Sequence, residues 1–255
     1  MQSWLIVPTH SGGRLQQIEQ EQPQPGPGQV LVKIRAASLN HRDLYILEEF
    51  SAEDTDTPIV PLSDGAGEIV ALGEGSKRFQ IGDRVVLTFF PYWLDGPPRE
   101  DVLLGRGEAG TPGVLAGYLV IGEQEVLPLP EHLSYAEGAT LPCAGVTAWN
   151  ALATGQLRTG ETVLLQGMGG VSVFGIQFAK AAGARVIVLS RSEEKLARAR
   201  SLGADETINT TTTPRWDERV LALTDGQGVD HVLDVGGAET LPPSLRSVRL
   251  GGALI

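Results

Sequence analysis

Residues 164–175 read LLQGMGGVSVFG, a glycine-rich break between two apolar runs. Such a break is either a phosphate-holding loop or a plain turn, and glycine content alone does not separate the two. The flanking residues do. TVLLQ, strand-like, runs directly into Gly167, and VSVFGIQFAKAA leaves Gly170 with helical spacing. Strand, glycine turn and helix in that order form the setting of a dinucleotide site. Gly167 permits the tight turn, Gly169 lets the backbone approach a pyrophosphate, and the free amides at the helix start hold its charge. The third glycine of the G-x-G-x-x-G pattern is Ser172 here, so helix and strand must pack closely around a small hydroxyl residue.

Beyond this motif RVIVL, ETIN and DHVLDV read as further strands, separated and followed by the helical patterns EEKLARARSLG, WDERVLALT and TLPPSLRSV. Strand and helix alternate, which predicts a doubly wound parallel sheet covered on both faces. Just upstream, Ser134 and Glu137 have capping-box spacing ahead of a helical segment that runs toward Thr154 and that Pro142 breaks or kinks. Thr210–Thr213 reads as a loop. The terminal GGALI looks like the first residues of another strand, so the expectation is a sheet truncated at its last strands, with a C-terminal segment missing.

Up to about residue 130 the pattern differs. SWLIVP, QVLVKIRA, GEIVALG, DRVVLTFF and GVLAGYLVIG are short β-branched runs broken by Gly and Pro, and HRDLYILEE reads as one brief helix among them. An irregular, barrel-like β domain over 1–130 followed by an incomplete α/β domain over 131–255 is the predicted organisation.

The 255 residues include 31 acidic and 20 basic side chains, a net charge of −11, which disfavours nucleic acid or an anionic membrane as the main partner. The 42% hydrophobic content suits a globular core. A single cysteine, Cys143, excludes an internal disulfide framework and fits a reducing compartment, with the cytoplasm as the expected location. MQSWLIVPTH carries no basic leader, and no apolar stretch reaches the roughly 18 residues of a membrane span, so a soluble, unexported protein is expected.

The end of the second α/β strand bears on which dinucleotide is bound. RVIVLSRSEEKL places Ser190 where an acid would hold the ribose hydroxyls of NAD, and follows it with Arg191, a natural partner for a 2′-phosphate. This favours NADPH over NADH; the plain alternative is an exposed arginine at a helix start. Glu193 and Glu194 would repel a phosphate unless they turn to solvent.

These stretches, together with SLNHRDLYI, PLSDGAGEIVALGEG, GDRVV, LPCAGVTAWNAL, AKAAGARVIVLS, KLARARSLGADETIN and GVDHVLDVGG, resemble the medium-chain dehydrogenase/reductase superfamily over essentially the whole chain. Within it the chain is similar to the zinc-independent branch of quinone oxidoreductases and related alcohol-dehydrogenase-like proteins. The resemblance implies a GroES-like catalytic domain, a Rossmann cofactor domain, and a returning C-terminal segment. It also implies a family habit of dimerising through the edge of the cofactor sheet. The zinc-ligand positions of the metal-dependent branch correspond to Asn40, Ser63 and Cys143. An amide and an unactivated hydroxyl are poor zinc ligands, so no catalytic zinc is expected. A rearranged His41, Asp64 and Cys143 site is the alternative.

By the same resemblance Asn40 and Asp43 lie beside nicotinamide and substrate, Thr147 contacts the nicotinamide ring, and His41 faces the cofactor pyrophosphate. Gly167, Gly169, Gly170, Val171, Ser190, Arg191, Lys195 and Asp234 complete the expected cofactor set. Asn40 can equally be a helix cap, and Thr147 a buried, bonded hydroxyl. The proton-relay hydroxyl of the zinc enzymes is Arg42 here. Tyr45 is either a proton donor or a packing residue, and Phe89, Phe90, Tyr92 and Trp93 are either an aromatic wall for a flat substrate or a satellite core. Cys143 reads as a small buried hydrophobe. The implied reaction is hydride transfer from NADPH to a quinone or α,β-unsaturated carbonyl. The alternatives are a simple alcohol/carbonyl pair, an unusual zinc enzyme, and a cofactor-binding protein with little catalysis.

Overall fold

The computed structural model describes residues 1–51, 55 and 57–255. The chain divides into two compact units, Met1–Cys143 and Ala144–Ile255.

The first unit opens with a hairpin of β1 (Gln2–Thr9) and β2 (Gly12–Glu19). Gly12 closes its turn at φ +104°, where a Cβ would also sit 2.6 Å from the Glu48 carbonyl oxygen. β3 (Gln29–Ser38) then leads into α1 (His41–Glu49), followed by β4 (Asp64–Leu72), β5 (Arg84–Leu87), β6 (Tyr118–Gly122) and β7 (Val126–Pro128). These five strands form an antiparallel sheet in the order β6-β3-β4-β5-β7. Its core is Val30, Val32, Ile69, Val85, Leu87, Leu119, Ile121 and Val126, the alternate residues of half-buried strands. β2 and β7 are not among the strands expected from sequence. β2, GGRLQQIE, is mostly exposed and polar, and β7 is three residues long.

Between β5 and β6 a long loop carries the aromatic segment. Fully buried Arg106 anchors it, donating to Thr88 O, Pro112 O and, at 2.8 Å, to Glu125 Oε2.

α2 (Tyr135–Ala139) starts at the expected capping box: Ser134 Oγ accepts from Glu137 N, and Glu137 Oε2 accepts from Ser134 N at 2.8 Å. The helical segment breaks where Pro142 lies, into a π-helical turn over Leu141–Gly145, and resumes as α3 (Val146–Thr154). Because α2 packs on β3, β4 and β5, the units part between Cys143 and Ala144 rather than at the 130/131 boundary expected from sequence.

The second unit continues with β8 (Thr162–Gln166), α4 (Gly170–Ala181), β9 (Arg185–Ser190), α5 (Glu193–Ser201), β10 (Glu206–Asn209), α6 (Trp216–Leu223), β11 (Val229–Leu233), α7 (Leu241–Ser247) and β12 (Val248–Leu254). All five strands are parallel, in the order β10-β9-β8-β11-β12. Both sheet faces are covered, which is why β8 and β9 read as unbroken apolar runs. Val163, Leu165, Val186 and Val188 pack with Ile176 and Ala179 of α4 and Leu196 of α5, while Leu164, Ile187 and Leu189 pack with Trp216 and Val220 of α6. Within GGALI, Gly251 to Leu254 end a seven-residue strand, β12, that begins at Val248. The order reverses between β8 and β11, and a crevice outside the carboxyl ends of strands at such a reversal is where open α/β sheets bind ligands.

Candidate active site

The glycine loop lies at that reversal. Gly167 closes the turn at φ +74°, and a Cβ at Gly167 or Gly169 would meet no atom within 4 Å, leaving open space over the loop. The first hydrogen bond into α4 is from Val173 N to Gly169 O, so the amides of Gly170, Val171 and Ser172 are without acceptors among the described residues. Together with the positive end of the helix they form an anion cradle. A nucleotide pyrophosphate fits this geometry.

The other two small residues of the motif serve packing. A Cβ on Gly170 would lie 2.9 Å from Ala144 Cβ, so its missing side chain seats α4 while its amide faces the cradle. Ser172 is buried and its Oγ donates to Gln166 O at 2.7 Å, tying helix to strand. The close approach expected at Ser172 is found one turn later, where a Gly175 Cβ would stand 3.0 Å from Leu165 Cδ2. Sequence reading passed over Gly175 because it falls outside the G-x-G-x-x-G spacing.

At the end of β9, Ser190 is buried and its Oγ accepts from Ser192 N. Arg191 and Lys195 are exposed, and neither side chain has a partner among the described residues. Glu193 is held instead by Arg200 at 2.8 Å and by Asn209, and the Arg200 guanidinium draws its carboxyl below the usual range. Arg191 therefore directly follows Ser190 as a cation without a side-chain partner among the described residues, with the nearer of the two expected acids engaged elsewhere.

Asp234 directly follows β11. Its Oδ1 accepts from Gly236 N, Gly237 N and Thr240 Oγ1, and its Oδ2 from Ser244 Oγ at 2.8 Å. Both oxygens are engaged in building the loop. Burial acts to raise its pKa, but the donors from Thr240, Gly236, Ser244 and Gly237 prevail and hold it below the usual carboxylate range. Thr147, on the first turn of α3, is exposed with no hydrogen-bond partner among the described residues, contrary to the buried, bonded alternative.

In the first unit, Asn40 is the N-cap of α1, and Asp43 Oδ2 accepts the Asn40 amide N–H at 2.7 Å. Asp43 is thus committed to the cap through one oxygen. Its Oδ1 and the Asn40 Nδ2 are buried without hydrogen-bond partners among the described residues. Burial raises the Asp43 pKa against the pull of the Asn40 amide and Arg42. His41 and Tyr45 are exposed on α1, their rings edge-on at 5.0 Å. Arg42 is bound to Glu108, donates to Arg106 O, and lies 4.8 Å over the Phe89 ring, so this cation is held in place. Phe89, Phe90 and Trp93 form an edge-on aromatic series, while Tyr92 is half exposed.

The structure draws Asn40, Ser63 and Cys143 around one carboxyl. Ser63 Oγ donates to Asp64 Oδ1 at 2.6 Å, Cys143 N donates to Asp64 Oδ2 at 3.0 Å, and the Asn40 side chain helps lower the Asp64 pKa. Burial outweighs these donors and leaves the Asp64 pKa raised. Burial, reinforced by Asp64, likewise pushes the Cys143 thiol up to about 11. A zinc ion needs thiolate, imidazole or free carboxylate. Here the donors are a neutral amide, a hydroxyl engaged with Asp64 and a protonated thiol, and they do not fit zinc. His41 is turned to solvent on α1, and no group of three His, Cys, Asp or Glu suited to a metal occurs among the described residues.

Comparison with known proteins places this geometry in a family. Residues 26–131 match the alcohol dehydrogenase GroES-like domain and residues 170–255 the zinc-binding dehydrogenase domain. The chain is 44% identical over 229 residues to a zinc-type alcohol dehydrogenase-like protein of Schizosaccharomyces pombe, covering 89% of this chain and 66% of that protein. It is 31% identical to an alcohol dehydrogenase of Geobacillus stearothermophilus, covering 94% of this chain and 73% of the relative. The quinone oxidoreductase of Pseudomonas syringae pv. tomato DC3000 superposes with a TM-score of 0.81 at 32% identity, over 100% of this chain and 72% of that one. The chain thus spans about two thirds of the length of the first of these curated relatives. A GroES-like unit, a parallel sheet with its glycine loop at the strand-order reversal, and these matches together make the chain a member of the medium-chain dehydrogenase/reductase superfamily, a family of NAD(P)-dependent oxidoreductases, on its alcohol dehydrogenase-like side.

Proposed function

We propose that this chain belongs to an NADPH-dependent oxidoreductase that reduces a quinone or α,β-unsaturated carbonyl without catalytic zinc. The observation that carries the reading is the free anion cradle at the start of α4, with unpartnered Arg191 beside Ser190 at the end of the neighbouring strand. Nicotinamide, when bound, supplies the hydride. Gly167 and Gly169 leave room for the pyrophosphate, and the amides of Gly170, Val171 and Ser172 bind it. Arg191 and Lys195 take the 2′-phosphate. The exposed Thr147 hydroxyl contacts the nicotinamide ring.

The first unit serves the substrate. The Asn40 side chain at the start of α1 is the group we assign to the substrate oxygen, and exposed His41 and Tyr45 are the groups able to deliver a proton. With no fit for a Lewis acid, carbonyl activation rests on hydrogen bonds, which favours acceptors whose conjugation spreads the developing charge. The Phe89, Phe90 and Trp93 rings suit such flat molecules. A cytoplasmic location agrees with the single cysteine.

A simple alcohol/carbonyl pair is the second reading, favoured by similarity to the alcohol dehydrogenase of Geobacillus stearothermophilus. Fluorescence titration with NADPH and NADH, followed by assay of a quinone, an enone and a simple alcohol side by side, tests both. NADPH preference with turnover of the conjugated acceptors supports the first reading; turnover of the alcohol alone establishes the second.

A further inference from the structure

Gln166, the last residue of β8, is buried yet has no place in the nucleotide reading above. Its Nε2 donates to Ser244 Oγ of α7, and Ser244 Oγ donates in turn to Asp234 Oδ2 at 2.8 Å. Asp234 Oδ1 then holds Gly236 N, Gly237 N and Thr240 Oγ1. On its other side the Gln166 carbonyl accepts the Ser172 hydroxyl from the first turn of α4. One residue therefore ties together both walls of the crevice between β8 and β11: the glycine loop through its backbone, and the 234–240 loop through its side chain.

Two further observations give this chain of bonds a direction. Gln166 Oε1 is buried without a hydrogen-bond partner and lies against Gly236, where an added Cβ would come within 3.1 Å of it and 2.5 Å of Thr240 Oγ1. The loop is thus pressed down on the network. Val235, in that loop, is an apolar side chain that exposes 57% of its surface.

We propose that Gln166 is the positioning residue for the nicotinamide half of the cofactor. The inference rests on the nucleotide reading: with the adenosine phosphate at Arg191 beyond β9 and the pyrophosphate at α4, the remaining half of the dinucleotide crosses the strand-order reversal to the β11 side. There it meets the rim of the 234–240 loop. Gln166 sets the height of that rim relative to the amides that hold the pyrophosphate, so the two halves of the ligand are held in one register.

The test titrates the chain and its Gln166→Met and Ser244→Ala variants with NADPH and with adenosine 2′,5′-bisphosphate, which lacks the nicotinamide half. Both variants are expected to bind the bisphosphate like the original chain and to bind NADPH about tenfold more weakly. A general loss of packing would weaken both ligands together, and that result overturns the assignment, as does unchanged NADPH affinity. Should Gln166→Met fail to fold, Ser244→Ala, which removes a single hydroxyl, decides the matter by the same two titrations. If the original chain binds neither ligand, the nucleotide reading falls and this inference falls with it. Binding of the bisphosphate with variants that match the original toward NADPH sinks only the role of Gln166.

Discussion

Ser63 Oγ donates to Asp64 Oδ1 at 2.6 Å, with both residues completely buried. A hydroxyl engaged in this way, beside a carboxyl that also takes the Cys143 amide, offers little to a metal ion. Purified protein is therefore expected to carry no stoichiometric zinc by elemental analysis, and one zinc per chain would contradict the reading. Ser63→Ala removes one donor from buried Asp64 and is expected to cost about 1–3 kcal/mol in denaturant unfolding.

The glycines of the dinucleotide loop separate into two classes. Gly169→Ala places a methyl group in open space, so stability should change by less than about 1 kcal/mol while NADPH affinity falls by about tenfold or more. Gly175→Val drives a side chain into Leu165 and should cost about 1–3 kcal/mol, with nucleotide binding preserved in the folded fraction. Paired urea melts and titrations of the two variants check the division.

Arg191→Ala should weaken NADPH about ten- to hundredfold and leave NADH unchanged, since only the 2′-phosphate distinguishes the two. Equal loss for both nucleotides would remove Arg191 from the phosphate site.

The hydrogen-bond donors around Asp234 depress its pKa, so its contribution to stability is complete above the unfolded value of about 3.9 and is lost as pH falls through the folded one. The stability gap between the original chain and Asp234→Asn should accordingly be full above that unfolded value and shrink as pH falls below it. Urea midpoints across that range measure it; a gap that grows on acidification reverses the sign.

Arg106 is buried against Glu125, and its guanidinium also holds the carbonyls of Thr88 and Pro112. Arg106→Ala leaves Glu125 partly buried and unpaired and should cost about 3–5 kcal/mol. Urea unfolding of the variant, followed by circular dichroism, reads the loss.

What was legible in the sequence was what local pattern encodes. The two-sided burial of β8 and β9 shows as unbroken apolar runs, Pro142 marks the break in the helical segment, and Ser134 with Glu137 announces the start of α2. β2 left little trace because most of its side chains face solvent, so neither alternation nor apolarity marks it. The geometry of the candidate site was readable where one residue type has one geometric use, as in the positive φ of Gly167. It was not readable where chemistry depends on partners distant in sequence. The bonds from Thr240 and Ser244 to Asp234 join positions up to ten residues apart, and Gln166 has no motif of its own.

The most direct test of the central claim is the rate of NADPH oxidation by a conjugated enone, measured before and after exhaustive chelation with metal content followed in the same samples. The account predicts turnover that survives chelation unchanged. Activity that disappears with a bound zinc ion and returns when zinc is restored would contradict it.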